Sequence, residues 1–342
     1  MENQDLFKFN YGGLSEMPIP KVSVCIPTYN YARYLPETIE SVLAQSFADF
    51  ELIIIDNCSS DDTAVVVGRY AERDRRIRFS VNEENLGMVG NWNLCLAHAR
   101  GEFIKFVFSD DLLSSRDALK KMVSVLENDS SISLVASSRD IIDTSSRKLK
   151  SESRFRRNAV FSGTAVINRC LKEQKNLIGE PTVVMFRKKD AARGFLPHYR
   201  QIVDQEMWFY LLEQGNLAFL TEPLISFRIH PEQQTTKNAD TLNNVEDIFH
   251  LYDDYMHRPY ISIGGLGKLY IRYDNIYEIW KLYAKGVISW QTAALRIGDH
   301  LSIVLFIMTI PLYQILRSCF KAVNAIGRIL DRVLPDRTRI NP

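Results

Sequence analysis

The sequence predicts an α/β fold built on a mostly parallel, layered sheet, and three observations carry that expectation. Apolar runs of strand length alternate with helix-period segments through the first 125 residues. Several of these runs lack the in–out alternation of a half-exposed strand, as strands covered on both faces do. After about residue 235 the strand pattern stops, and a Tyr-rich sequence of helical period takes over.

In chain order, VSVCI reads as a buried strand stopped by Pro27, and residues 33–45, apolar at 35, 39, 42 and 43, as a helix. FELIIID is a second buried strand ending at Asp56. NCSSDDT is turn chemistry feeding a helix over 63–72, because Ser and Asp side chains cap free N–H groups at a helix start. RIRFSVN gives a third strand, MVGNWNLCLAHA a helix and GEFIKFVF a fourth strand, followed by a helix over 115–127. The charge-rich DTSSRKLKSESRFRRN reads as an exposed loop, and strand and helix fragments continue through NLAFLTEPLISFRIH. On this reading the chain divides into a lead (1–20), two halves of one α/β domain (21–125 and 126–240), a helical extension (241–300) and a tail (301–342).

Composition narrows the function. Lys and Arg number 42 against 41 Asp and Glu, a net charge of +1, so no nucleic-acid partner is expected. Five cysteines lie scattered at 25, 58, 95, 170 and 319, which fits a reducing, cytoplasmic setting rather than a disulfide framework or zinc site. MENQDLFKFNYGGLSEMPIP has neither the basic start nor the apolar run of an export signal. In the tail, LSIVLFIMTIPLYQIL is uncharged over 16 residues, about 24 Å as a helix and short of the roughly 30 Å hydrocarbon core. Beyond it Phe320, Val323, Ile326, Leu330 and Val333 share a helical face, with Lys321, Arg328 and Arg332 elsewhere on the wheel. Such a segment suits peripheral contact with an anionic membrane surface at the cytoplasmic face, or packing on the protein's own body.

The chemistry concentrates where strands stop, at PTYN, DNCSSDDT and SDD. The carboxyl ends of neighbouring strands in an open α/β sheet meet in one crevice, where ligands bind. Asp56 closes a strand, and Asn57, Ser59 and Ser60 follow with acceptors for a base or ribose; helix capping by Ser60 or Asp61 is the plainer alternative. Asp110 and Asp111 end an apolar strand, where two carboxylates are costly without a positive neighbour. A hard divalent cation, Mg2+ or Mn2+, meets that need, and N-capping by Asp111 of the following helix is the competing explanation.

Together, VSVCIPTYN, FELIIIDNCSSDDT and NLGMVGNWNLCLAHARGEFIKFVFSDDLL resemble the nucleotide-sugar-binding half of the inverting family 2 glycosyltransferases of bacterial cell-surface polysaccharide assembly. The resemblance covers roughly residues 21–125 and implies the GT-A fold, a Rossmann-like, mostly parallel mixed sheet flanked by helices, here with a helical C-terminal extension. It implies that Pro27, Thr28, Tyr29 and Asn30 line the nucleotide, that Asp56 meets the base, and that Asn85, Gly87 and Asn93 form a third nucleotide-side motif. Asp110 and Asp111 then hold the ribose and a diphosphate-bound metal. The family's Asp-x-Asp-Asp is reduced here to SDD, with Phe108 at its first position, which leaves open which Asp takes the metal.

VDQEMWFYLLEQG resembles the family's acidic helix, with Asp204 at the catalytic-base position and Val203 in place of the usual first acid. A carboxylate there removes the acceptor hydroxyl's proton as it attacks the anomeric carbon. Glu206 is a rival base, and helix capping a rival role for Asp204. FRIHPEQQT resembles the segment that closes over the diphosphate, giving His230 a metal or phosphate role and Arg228 a charge-neutralising one. Trp208 either floors the acceptor sugar or packs in the core. The expected activity is transfer of a sugar from a nucleotide-diphosphate donor, UDP foremost, to a glycan or lipid-linked acceptor. The rivals are a nucleotidyltransferase, whose Gly-rich basic loop PTYNYARYLPET lacks, and a non-catalytic nucleotide-sugar-binding scaffold.

Overall fold

A computed structural model describes residues 18–233, 242–314 and 317. The first seventeen residues, and the basic amphipathic segment expected over 320–333, lie outside the described residues. Strands β1 (Val22–Thr28), β2 (Phe50–Asp56), β3 (Ile77–Val81) and β4 (Phe103–Phe106) alternate with helices α1 (Leu35–Leu43), α2 (Thr63–Ala71) and α3 (Gly87–His98). Every residue of β1 and β2 is buried, because both faces of the central strands are covered. Helix α1 turns Leu35, Ile39 and Val42 inward and places Pro36 in its first turn, where a missing N–H costs nothing.

The second half supplies β5 (Leu112–Leu113), α4 (Ala118–Asn128), β6 (Ile132–Ile142), β7 (Lys148–Glu152), β8 (Ala159–Phe161), α5 (Gly163–Glu173), β9 (Val184–Arg187), α6 (Val203–Leu212) and β10 (Asn216–Arg228). One sheet results, in the order β3-β2-β1-β4-β9-β6-β10-β5, with β7 on β6 and β8 on β10. β1 runs parallel to β2 and β4, whereas β9 is antiparallel to β4 and β6, so the sheet is mixed.

Two expectations change here. The charge-rich stretch read as a loop contains β7, antiparallel to β6. Its KLKSE lies almost wholly exposed, so the sequence carries no buried period to betray it. The last of the expected fragments, NLAFLTEPLISFR, is one unbroken thirteen-residue strand, β10.

Register positions the site. β1 and β2 end together, with Thr28 beside Asp56. β5 pairs antiparallel with β10 at Ile225 and Ser226, which brings the Asp110-Asp111 turn against Arg228 at the end of β10. Helices α7 (Leu242–Tyr255), α8 (Gly265–Ala284), α9 (Trp290–Gly298) and α10 (Ile303–Gln314) follow. They build a second apolar cluster around Phe249, Ile276, Ile279, Ala293, Ile297 and Phe306. No single described helix is long and apolar enough to cross a membrane.

Candidate active site

A cavity of about 780 Å3 opens along the carboxyl edge of β1, β2 and β4. Pro27, Thr28, Tyr29, Asn30, Asn57 and Asn85 line it together with Trp92, Phe108 and Asp110 and with Glu180, Gln201 and Asp204. The strand-end motifs therefore share one space with the acid of α6.

Asp56 is fully buried at the end of β2, beside the cavity-lining Thr28. Its Oδ1 accepts the Ser59 hydroxyl and backbone N–H, while its Oδ2 has no partner. Burial pushes this carboxyl up, and the Ser59 bonds pull against that shift. The Thr28 hydroxyl, adjacent in register, is likewise buried without a partner. Unsatisfied buried polar atoms are uncommon in native folds, and two side by side at a cavity wall mark a place where a ligand supplies the missing groups. Asn30 holds a left-handed backbone (φ 58°), accepts the Ser60 N–H at 2.8 Å and donates its own N–H to Ser59 Oγ at 2.7 Å. Asp61, not Ser60, caps α2, through the Thr63 N–H at 3.0 Å.

Asn57 anchors the segment of Asn85 and Gly87. Its amide donates to Asn85 Oδ1 and the Gly87 carbonyl, and its oxygen accepts from Asn82 and from the Leu86 N–H. Gly87 thus contributes a carbonyl to this network rather than a surface to the cavity. Asn93 is a correction: its side chain pairs in both directions with the backbone of Phe195, at 2.7 and 2.8 Å, away from the cavity. Asn91 faces the cavity instead and accepts from Asn82. Two residues apart on a helix lie about 200° around the axis, so only one of the two asparagines can face inward.

The acidic pair separates into two environments. Asp110 lines the cavity, and its Oδ2 meets His230 Nε2 at 2.9 Å. Asp111 points the other way. It is 1% exposed, accepts the Thr182 hydroxyl at 2.6 Å and the Arg228 N–H at 3.1 Å, and neither lines the cavity nor caps α4. Burial, and then the charge of Asp110, hold its carboxyl well above the ordinary range. The positive charges near the pair come from the chain itself. Lys105 is buried in the strand before them, its ammonium donating to the carbonyls of Phe106, Thr182 and Val184. Burial pushes Lys105 down to about 7 against the opposing pull of Asp111.

Arg228 is the second correction. Its side chain is wholly buried and donates to the Asp110 carbonyl, the Asp143 carbonyl, Ser146 Oγ and Glu37, so it locks the acidic turn to α1 and the β6–β7 turn. Nothing of it reaches the cavity. His230 lies behind Asp110 between the rings of Tyr31 and Tyr34, with Nδ1 buried and unpartnered. A ring nitrogen bonded to the carboxylate orients that carboxylate.

Trp208 takes the packing alternative and not the acceptor role. It is fully buried, donates Nε1–H to the Gly179 carbonyl at 2.9 Å and packs on Phe186. Glu206, the rival base, is engaged by Arg193 at 2.7 and 2.9 Å and by the Tyr255 hydroxyl. Asp204, in the first turn of α6, faces the cavity, with Oδ1 accepting the Gln205 N–H. Burial in the cavity wall, and then the charge of Glu180, push its carboxyl up to about 7. Glu180 itself is backed by Arg139, which also pairs with Glu152. Sequence reasoning missed Glu180, which sits in an irregular segment with no periodicity to single it out.

Comparison with known proteins gives this cavity its family. The model of "Glycosyl transferase family 2" matches residues 23–195. An uncharacterized Mycobacterium tuberculosis protein is 35% identical over 238 residues, 67% of this chain and 73% of that protein. The putative teichuronic acid biosynthesis glycosyltransferase TuaG of Bacillus subtilis is 28% identical over 211 residues, 61% of this chain and 79% of TuaG. The crystal structure of S. aureus TarS 1–349 in complex with UDP-GlcNAc superposes with a TM-score of 0.59 at 22% identity, over 76% of this chain and 73% of that one. The sheet order, the cavity at the strand ends and these matches together place the chain in glycosyl transferase family 2, as a glycosyltransferase of GT-A fold with a helical C-terminal region.

Proposed function

We propose that the chain transfers a sugar from a nucleoside diphosphate donor, UDP-linked by preference, to a glycan or lipid-linked acceptor with inversion, in surface polysaccharide assembly. The observation that carries this reading is that one cavity is lined by Thr28, Asp110 and Asp204, with unpartnered atoms on Thr28 and on Asp56 beside it in register. The Asp56 carboxylate suits a base that presents a ring N–H, as uracil does, and the UDP-GlcNAc bound to TarS supports that choice. TuaG supports a polysaccharide product. The four described cysteines are free, which supports work in the reducing cytoplasm.

Asp204 acts as the general base. With its carboxyl near 7 it is substantially ionised at neutral pH yet basic enough to draw the proton from an acceptor hydroxyl. Attack by that hydroxyl, from the side opposite the diphosphate, inverts the anomeric carbon. Gln201 and Glu180 flank the base and offer hydrogen-bond partners to the acceptor.

Among the described residues no three His, Cys, Asp or Glu side chains form a metal cage. One cavity-facing carboxylate, Asp110, held by His230, is nonetheless a donor set that Mg2+ or Mn2+ accepts when substrate phosphates complete its shell. The residues thus fit a cation that arrives with the diphosphate, and Asp110 would hold it. Such a cation offsets charge growing on the leaving group.

The test is donor turnover by the purified full chain across a panel of nucleotide sugars, with and without Mn2+, reading the product's anomeric configuration by NMR. Metal-stimulated transfer with inverted configuration is expected. Donor binding without turnover on any acceptor would favour a scaffold, and retained configuration would remove Asp204 from its role.

A further inference from the structure

Helix α10 is fixed on one side and bare on the other. Phe306 and Tyr313 are buried at 0% and 4% exposure, the Tyr273 hydroxyl donates to the Phe306 carbonyl, and the Tyr313 hydroxyl donates to Asp274. Arg317, itself helical, pairs with Asp274 and Glu278 at 3.1 Å each. These bonds set the rotation of α10 about its axis. The opposite side therefore carries Val304, Leu305, Met308 and Leu312, which are 67%, 50%, 75% and 58% exposed. At the start of α8, Leu266 and Leu269 are 84% and 63% exposed. Large apolar side chains clustered in solvent on one helix mark an interaction surface.

The chemistry of the occupant follows from charge and length. From 301 to 316 the sequence has no charged residue, and after Arg317, whose charge is taken up by Asp274 and Glu278, it has five basic residues (321, 328, 332, 337 and 339) against two acidic ones (331 and 336). An uncharged apolar stripe leading into a basic excess complements an anionic lipid surface, where the stripe meets acyl chains and the cations meet headgroups. Even the whole uncharged run of 16 residues spans only about 24 Å as a helix, less than the roughly 30 Å apolar core, so α10 lies in the interface and does not cross it. We infer that α10 is a membrane-docking helix, whose Val304, Leu305, Met308 and Leu312 face enters an anionic lipid surface while its Phe306 and Tyr313 face holds the enzyme's body. This inference stands on the exposed face and not on the identity of donor or acceptor.

The test uses the full chain in sedimentation with vesicles of phosphatidylcholine alone and of phosphatidylcholine mixed with phosphatidylglycerol. Binding to the anionic vesicles is expected, weakening with added salt. The variant M308S/L312S removes two apolar contacts from the exposed face and is expected to bind at least about tenfold more weakly, with unchanged thermal melting and donor affinity. A wild-type chain that ignores anionic vesicles, or a variant that binds them as well as wild type, overturns the inference. So does a wild-type dimer by light scattering that the variant converts to monomer without any vesicle binding, which assigns the face to a second copy.

Discussion

Asp247 of α7 holds the entrance to the helix that carries Asp204. Its Oδ2 accepts the N–H groups of Arg200, Gln201 and Ile202, the three residues leading into α6, and Asp247 is 2% exposed. The helical extension thus caps the helix of the proposed base from another part of the chain. A carboxylate at a helix N-terminus satisfies orphan donors and complements the helix dipole.

Replacing Asp247 by Ala strands three N–H groups and is expected to lower stability by about 2 kcal/mol. It should also lower kcat while leaving donor Kd near its wild-type value, because Asp247 bonds the residues that lead into the Asp204 helix and not those at the ends of β1 and β2. D247N, which keeps an acceptor, should recover part of kcat. Steady-state kinetics beside calorimetric donor titration checks the split; equal losses in kcat and donor affinity would contradict it.

The pH dependence follows from the raised carboxyl of Asp204. Transfer needs this group ionised, so kcat/KM should climb with pH and level off above about 7. Stability runs the other way. Between the unfolded carboxyl's value of about 4 and the folded value of about 7, the native state keeps a proton that the unfolded chain has released, so stability is lost as pH rises through that window. D204N escapes this loss and should melt about 3 °C higher than wild type at pH 8, with the difference vanishing toward pH 4. Thermal melting across the pH range checks it.

Asp56 tests the nucleotide wall. In D56N the amide keeps an acceptor for Ser59 and swaps the unpartnered Oδ2 for a donor. Against a base N–H, donor meets donor, and UDP affinity should fall roughly thirtyfold. Titration calorimetry measures it, and unchanged affinity would place the base elsewhere.

Trp208 separates packing from recognition. Trp208→Phe loses the Nε1 bond to Gly179 and some core volume, so stability should fall by about 1–2 kcal/mol with donor Kd unchanged. A variant as stable as wild type that has lost acceptor saturation would return Trp208 to the acceptor.

The strands that frame the cavity were legible because their apolar runs are nearly unbroken, and Asp56 stood out because a charged residue closes such a run. Asp110 and Asp111 are neighbours in sequence with opposite environments, and no local pattern separates them. That difference comes from Thr182 and Arg228, which arrive 71 and 117 residues later. Arg228 reads as a ligand-facing residue, and Trp208 stays open between sugar and core, because residue type alone cannot say which way a side chain turns. Arg228 is consumed by four partners spread over three segments, and Trp208 by a carbonyl and a ring. Strand β7 escaped notice for the reverse reason: an exposed edge strand of charged residues has no buried face to impose a period of two.

The most direct measurement of the central claim, that one cavity joins the proposed nucleotide wall to a proton acceptor, is kcat and donor Kd of D204N. Transfer reduced by about a thousandfold or more, with donor affinity close to wild type, is the expected result. Transfer that survives the substitution, or donor binding lost together with it, would contradict the division of the cavity between Asp56 and Asp204.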